Sequence, residues 1–431
     1  MITMEELQAA IRQRINDYNT EDFPLEKRAV HTCDLLDSLG QILAQDIASA
    51  FDVPRQNLSA MDGYAIARGS ERTESTMIEI VGESQAGRAY TGDMAAGQGV
   101  RIFTGAVVPD SCDTVVMQEN TNFAEIKSTI DKSQPYTITL TQTAKANDNI
   151  RAQGEEIESG EAVLQIGKRL NPADVSLLSN LGISQVDVFQ PLVVGLLATG
   201  DELVAIGNQL DSLAQIYNSN TPTLKSLLAD LPITIRDYGI IPDDLDKTTT
   251  AIHEAMQTCD VLISTAGVSV GDYDFLTTVI ETLGQINHYK VAMKPGKPFV
   301  FGELNKDTSK PILYFGLPGN PLSTVVGALQ FVIPALWQLS GASLSEQPIA
   351  LNLQATLTND IKKSAGRKDF QRGLFSQNEA GAYQVTCFSG QQSHRIKQLS
   401  RANCFIVLDK DSGNVASGST VTVRPFPWLH N

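Results

Sequence analysis

The sequence predicts a multidomain protein of the α/β plus β class. It has a central α/β domain with a parallel-type sheet over 191–340, an inserted β-rich domain over 51–154 and a C-terminal β-barrel-like domain over 341–431. Residues 1–50 together with 155–190 are read as an elongated N-terminal and linker domain. Three observations carry this. The chain has 431 residues, more than one hydrophobic core usually holds. Between 191 and 340, apolar runs ending in glycine-bearing loops alternate with amphipathic stretches, the pattern of strands and helices in a parallel sheet. On both sides of that segment the pattern changes to short β-like runs broken by glycine.

In order along the chain, residues 4–16 have helical spacing through Leu7, Ile11 and Ile15, and 27–50 do so through Val30, Leu35, Leu36, Leu39, Ile42 and Leu43. Short strands are expected at Met77–Val81, Gly99–Phe103, Thr114–Gln118, Tyr136–Leu140 and Ala162–Ile166. Pro172–Leu181 reads as a helix with Asn171 as its N-cap and Gly182 as its stop. In the central domain the strands are Leu192–Ala198, Val261–Ser264 and Ile312–Phe315. Its amphipathic helices are Thr223–Leu231, Thr249–Cys259 and Pro321–Leu339, the last with proline in its first turn. Ligands of such a sheet sit where loops leave the carboxyl ends of its strands. Beyond Ser340 come alternating runs such as Ile349–Leu357 and Phe405–Leu408, with turns at Asn378–Gly381 and Asp411–Asn414.

Composition narrows the function. Apolar residues make up 42% and charged residues 19% of the chain, as in ordinary globular proteins. No apolar run approaches the roughly 18 residues that cross a bilayer, and Met1–Glu6 lacks the basic start and apolar core of a signal peptide. Cys33, Cys112, Cys259, Cys387 and Cys404 are scattered and odd in number, so neither a disulfide framework nor a zinc site is expected, and a reducing cytoplasm is. With 33 Lys and Arg against 49 Asp and Glu, the net charge of −16 argues against nucleic acid as the main partner. It does not exclude small anions. Distant acids are screened within about 8 Å, whereas a lysine in contact contributes roughly 4 kcal/mol at 4 Å and an effective dielectric of about 20. An anion site must therefore be a local cluster of cations or backbone N–H groups.

Four loops of the central domain stand out as candidates for a ligand site. In Ala198-Thr-Gly-Asp-Glu-Leu203 a glycine allows a tight strand exit, after which Asp201 and Glu202 face the cleft; a helix N-terminus with favourable acids reads equally well. In Ser264-Thr-Ala-Gly-Val-Ser-Val-Gly-Asp-Tyr-Asp274, Gly267 and Gly271 let backbone N–H groups approach a ligand and Ser269 adds a hydroxyl. Asp272 and Asp274 offer oxygens to a hard cation such as Mg²⁺, or else cap the next helix. Lys290-Val-Ala-Met-Lys-Pro-Gly-Lys-Pro298 sets three lysines on a rigid turn, where Lys294 and Lys297 can converge on one oxyanion. Gly316-Leu-Pro-Gly-Asn-Pro-Leu-Ser323 joins a buried strand to a long helix whose N-terminus suits an anionic group near Gly319 and Ser323. Five histidines form no triad and no ligand pair, which leaves hydrolase and zinc chemistry without support.

Together with Ser59-Ala-Met-Asp-Gly-Tyr-Ala65, Phe103-Thr-Gly-Ala106, Arg151-Ala-Gln-Gly-Glu-Glu156, Gly366-Arg-Lys-Asp-Phe-Gln-Arg372 and Gln392-Ser-His394, these loops stand in an order that resembles the molybdopterin molybdenumtransferase family, which includes the E domain of gephyrin. The resemblance covers essentially the whole chain. It implies an elongated homodimer with four domains per subunit and active sites shared between subunits, the α/β domain binding molybdopterin. Carried over by motif, the functional acids are Asp62, Glu202, Asp243 and Asp274, with Thr104 from the FTGA string. Lys290, Lys294, Arg372 and Ser393 match the cationic and hydroxyl positions, and Lys297 closes the lysine turn. Two residues depart from the family pattern: Glu156 stands where aspartate is expected, and Ala266 where a glycine is usual.

The resemblance implies a magnesium-dependent transferase acting on molybdopterin-AMP and molybdate. Asp274, Asp243 and Glu202 would hold Mg²⁺ on the pyrophosphate. Glycine loops through Gly267, Ser269, Gly319 and Ser323 would hold phosphates, and Lys294, Lys297, Arg372 and Ser393 would hold molybdate. A transient contact with the molybdopterin adenylyltransferase is expected; a membrane is not. Two alternatives are an adenylyltransferase, which would share only the α/β domain, and a non-catalytic scaffold, which should have lost the acids.

Overall fold

Runs of apolar residues without polar interruption make strands buried on both faces, and the central sheet is built from them. A computed structural model of the chain describes residues 1–266, 275–304, 311–347 and 349–429. Its central sheet has six strands: β1 (Leu192–Thr199), β2 (Ile233–Ile241), β3 (Val261–Thr265), β4 (Gly284–Lys290), β5 (Pro298–Leu304) and β6 (Ile312–Leu317). They lie in the order β2-β1-β3-β6-β5-β4. β1, β2, β3 and β6 are mutually parallel. β5 is antiparallel to both β6 and β4, because the short turn from β4 to β5 is too tight for a crossover. The carboxyl ends of β2, β1, β3, β6 and β4 therefore share one edge of the sheet.

Helices α1 (Asn220–Leu227), α2 (Leu245–Thr258), α3 (Phe275–Leu283) and α4 (Pro321–Leu339) cover this sheet. α2 begins earlier than its apolar spacing suggests because the Asp244 side chain accepts a hydrogen bond from Lys247 N–H and caps it. α4 differs from expectation. It is not amphipathic but buried on all sides, from Leu322 and Val325 to Phe331, Leu336 and Trp337, with a π turn over Ala328–Val332. It is also the one helix among the described residues long and apolar enough to cross a membrane, and its burial marks it as a core helix. The N-terminal helix Met4–Asp17 starts in a capping box of Thr3 and Glu6. Its Leu7, Ile11 and Ile15 join the same apolar cluster as α4.

The helix expected over 27–50 is absent. Val30–Asp34 is instead a strand paired antiparallel with Gln185–Phe189, followed by a 3₁₀ turn, Leu35–Asp37. Leu36 and Leu39 are 85% and 58% exposed whereas Leu35, Ile42 and Leu43 are buried, so the apolar residues do not share one helical face. The β-branched residues Val30 and Thr32 favour the extended chain, and Gly40 turns it at φ +80°. Pro172–Asn180 forms as expected, with an Asn171 capping box and Gly182 in the left-handed region.

Contacts divide the chain into two compact units, residues 1–45 with 166–431, and residues 46–165. The second unit is built on a five-stranded sheet in the order Cys112–Met117, Gly63–Ala67, Gln98–Ile102, Met77–Ser84, Tyr136–Thr139. Within the first unit, strands Leu353–Leu357, Lys368–Gln377, Tyr383–Cys387, Cys404–Leu408 and Thr420–Pro425 close into a five-stranded barrel. Val385, Ile406, Val421 and Val423 fill it. The two-residue strand Met293–Lys294 adds to its outside, parallel to Lys368–Asp369.

Candidate functional site

At one end of the sheet edge the chain presents acids. Gly200, at φ +141°, turns the chain out of β1, and the Glu202 carboxylate folds back to within 2.4 Å of where a Gly200 Cβ would lie. Glycine at 200 is therefore what lets Glu202 reach this position. Asp201 and Asp243 are tied reciprocally: Asp243 N–H donates to Asp201 Oδ1 at 3.1 Å, and Asp201 N–H lies 3.4 Å from Asp243 Oδ2. The loops after β1 and β2 are thus latched together with the acids at their tips. All three carboxylates are exposed.

The other end carries lysines. Lys290 ends β4, and Val291 N–H donates to Lys297 O at 2.7 Å, closing a turn in which Gly296 takes φ +92°. The backbone of this segment is held from two sides. Ile2 N–H donates to Lys290 O and Ala292 N–H to Ile2 O, while Lys368 N–H donates to Ala292 O. Lys294 lies 3.9 Å from the buried carboxylate of Asp369 and is itself about half exposed. Lys290 and Lys297 are exposed and have no ion-pair partner among the described residues.

Between these ends lie the glycine loops. Thr324 Oγ1 donates to Pro318 O at 2.7 Å, bracing the loop that leads into α4. Asn220, at the start of α1, donates from Nδ2 to Gly319 O at 2.8 Å, so the N-termini of α1 and α4 meet here. Ser323 is buried in the first turn of α4, beside Gly296 of the lysine turn. Ala266 adopts φ +79°, a left-handed backbone that an alanine enters only with strain, so the departure from glycine noted in the sequence falls where glycine would be favoured. Gly267, Ser269, Gly271, Asp272 and Asp274 lie outside the described residues.

Arg372 and Ser393 sit where the barrel meets α4. Arg372 is wholly buried. Its guanidinium donates to Gln391 Oε1 (3.1 Å) and to the carbonyls of Arg395 (3.0 Å), Gln392 (3.2 Å) and Gly390 (3.5 Å). It acts as the internal brace of the 390–395 loop, which meets α4 where Leu322 N–H lies 3.4 Å from Ser393 O. Burial pushes the Arg372 guanidinium below its usual range, Cys387 opposes that, and the Arg395 charge adds to it.

In the second unit, Asp62 and Thr104 are brought together across 42 residues. Asp62 Oδ1 accepts from both Thr104 N–H and Thr104 Oγ1 at 2.8 Å. These two bonds hold the Asp62 carboxyl below the usual carboxylate range. Gly63 follows because a Cβ there would lie 2.0 Å from Val116 O on the neighbouring strand. Arg101 stands over the rings of Phe123 (4.4 Å), Phe103 (5.2 Å) and Tyr64 (5.9 Å). Arg151 pairs with Glu155 at 2.6 Å and lies 3.8 Å from the exposed Glu156.

Among the described residues, no three metal-binding side chains converge. Sequence reasoning missed Asn220, Gln391 and Arg101. For Asn220 a signal existed, an asparagine in a Tyr-Asn-Ser-Asn string opening a helix; the other two are set by contacts distant in sequence.

Three family models match in succession: "MoeA N-terminal region (domain I and II)" over 2–182, "Probable molybdopterin binding domain" over 195–338 and "MoeA C-terminal region (domain IV)" over 354–426. The chain is 38% identical to a molybdopterin molybdenumtransferase of Haemophilus influenzae over 100% of both sequences. It is 34% identical to one of Bacillus subtilis over 91% of both. The crystal structure of the molybdopterin biosynthesis moeA protein from Pyrococcus horikoshii OT3 has the same fold, with a TM-score of 0.76 at 22% identity, over 99% of this chain and 100% of that one. By its full-length likeness to these relatives, the chain belongs to the molybdopterin molybdenumtransferase family.

Proposed function

We propose that this protein inserts molybdate into adenylylated molybdopterin, forming the molybdenum cofactor and releasing AMP. The observation that carries the reading is the separation of charge along one sheet edge. Acids stand beyond β1 and β2, lysines beyond β4, and a glycine loop with two helix N-termini lies between. β1 and β5 are three strands apart, about 14 Å at a spacing near 4.8 Å. That span suits an extended ligand with a pyrophosphate toward the acids and a dithiolene toward the lysines.

In this reading Lys294 and Lys297, with Lys290 beside them, hold the tetrahedral dianion next to the dithiolene. Ser393 lies on the loop that Arg372 braces, and hydrogen-bonds an oxo group. The dithiol sulfurs displace an oxo group, which takes up their protons and leaves as water, and water attacks the phosphoanhydride, leaving its phosphate on molybdopterin and freeing AMP. The N-termini of α1 and α4 take phosphate oxygens. Asp243, Glu202 and Asp274 would hold Mg²⁺. Exposed carboxylates on latched loops fit that ion, which is usually bound by one or two carboxylates together with substrate phosphates. When bound, it would neutralise charge on the pyrophosphate.

The protein is proposed to act in the cytoplasm as a homodimer, receiving its substrate from the molybdopterin adenylyltransferase. Asp62 and Thr104 of one subunit would complete the site of the other. Purified protein supplied with molybdopterin-AMP, Mg²⁺ and molybdate should release AMP only when molybdate is present. ATP consumption without a molybdate requirement would instead identify an adenylyltransferase. Mixed dimers of Asp62→Ala and Asp274→Ala chains, each inactive alone, should recover about a quarter of wild-type activity, since half the dimers are mixed and each has one intact site. No recovery from verified mixed dimers would place both residues in a site within one chain.

A further inference from the structure

Asn220 is 8% exposed, and its side-chain oxygen has no hydrogen-bond partner among the described residues. The amide cannot be turned to relieve this. Nδ2 donates to Gly319 O, a carbonyl accepts only, and the nitrogen must therefore face it while Oδ1 faces away. The polar groups around it are satisfied internally: Asn218 and Thr221 bond each other, and Thr324 Oγ1 bonds the carbonyls of Pro318 and Asn320. Asn220 Oδ1 is thus a buried acceptor left unpaired among the described residues, beside side chains whose own bonds are made. Buried acceptors without a partner are rare and unfavourable, and one beside a ligand site points to a partner supplied from outside the chain.

The chemistry of that partner is restricted. The N-termini of α1 and α4, which meet at Asn220 and Gly319, offer donors and attract phosphate oxygens. An acceptor at the same place repels a phosphate oxygen and calls for a donor hydrogen, and the N–H groups of the substrate's fused heterocycles are the rigid, pre-oriented donors it offers. Resting on the function proposed above, we infer that Asn220 is a specificity-determining residue whose Oδ1 accepts a hydrogen bond from an N–H of the substrate's fused heterocycle, while the adjoining helix N-termini take its phosphate. Both heterocycles of molybdopterin-AMP offer such a group, the amino and lactam N–H of the pterin and the amino group of adenine.

Equilibrium dialysis with inorganic phosphate, AMP and a 6-substituted pterin monophosphate separates these. Wild type, Asn220→Ala, Asn220→Ser and Asn218→Ala are compared, the last disturbing the same helix start without touching the unpaired acceptor. Both Asn220 variants should bind one heterocyclic probe about tenfold more weakly, the loss of one hydrogen bond of about 1.4 kcal/mol, with phosphate binding unchanged. A loss confined to the pterin probe assigns the contact to the pterin, and one confined to AMP assigns it to adenine. Unchanged binding of both heterocyclic probes, or an equal loss for phosphate, overturns the inference while leaving the proposed function standing. Asn218→Ala matching the Asn220 pattern also overturns it, since the effect would then belong to the helix start. Wild type that binds neither heterocyclic probe overturns the inference and the proposed function together.

Discussion

The two ends of the sheet edge carry opposite charge and are built by opposite means. At the acidic end two side chains are themselves tied down: Asp201 and Asp243 bond each other's backbone N–H groups. At the basic end the backbone is tied down, through Ile2, Lys297 and Lys368, and the ammonium groups stand in solvent or, for Lys294, loosely beside Asp369. Fixed carboxylates suit a metal–pyrophosphate geometry that must not vary. Loose lysines on a rigid turn suit a small anion that arrives from solution and leaves inside a product. On the proposed function, the difference would separate two properties of the site, catalytic rate at the acids and anion affinity at the lysines.

Arg372 sharpens the contrast, since it is a cation built in the manner of the acids. Its buried guanidinium is enclosed by acceptors, so Arg372→Ala opens a cavity and leaves Gln391 Oε1 and the part-buried carbonyls of Arg395 and Gln392 without their donor. The variant should lose about 3 kcal/mol of stability in denaturant unfolding. Arg372→Lys should recover only part of it, because an ammonium cannot reach the same acceptors. A variant as stable as wild type that has lost only molybdate affinity would return Arg372 to the exposed lysines as a direct ligand.

Asp62 is the second unit's example of a tied carboxylate. Its pKa is lowered in the folded protein by Thr104, so the stabilisation is complete above about pH 4 and is lost as pH falls through the folded value. Thr104→Val should therefore lower the melting temperature modestly at pH 7, by the equivalent of at most about 1 kcal/mol, with the gap closing as pH falls below the ordinary carboxylate range. A gap that stays constant with pH would show that the hydroxyl matters for packing and not for the carboxylate. The smallest effect is expected in the middle of the edge. Ala266→Gly relieves a left-handed alanine but adds chain entropy, and should stabilise by about 0.5 kcal/mol in the same unfolding assay. A destabilised variant would mean that the alanine methyl packs better than its backbone strains.

Much of this was legible from residue order. Strand exits at Gly200 and Gly319, the lysine turn and the capping box at Asn171 are local signals, and local physics decides them. What was not legible depends on distant contacts. Apolar spacing over 27–50 mimics a helix, but pairing with Gln185–Phe189 and the absence of a core under Leu36 and Leu39 make it extended. α4 passes for amphipathic until the sheet, the N-terminal helix and the barrel enclose it. Nothing near Arg372 in sequence announces that residues 390–395 will supply its acceptors, nor does anything near Asn220 announce Gly319.

On the proposed function, the acids set the rate and the lysines set the anion affinity. The most direct test of this division is AMP release from molybdopterin-AMP, followed across a range of molybdate concentrations, in Asp243→Asn and Lys294→Ala. Asp243→Asn should lower the maximal rate by about 10² or more with half-saturation unmoved, because a residue that would hold the charge-neutralising Mg²⁺ is lost. Lys294→Ala should raise half-saturating molybdate by about tenfold and recover near wild-type rate at high molybdate, because a contact charge on a dianion is lost. If excess molybdate rescued both variants, or neither, the two ends would share one task and the account would be wrong.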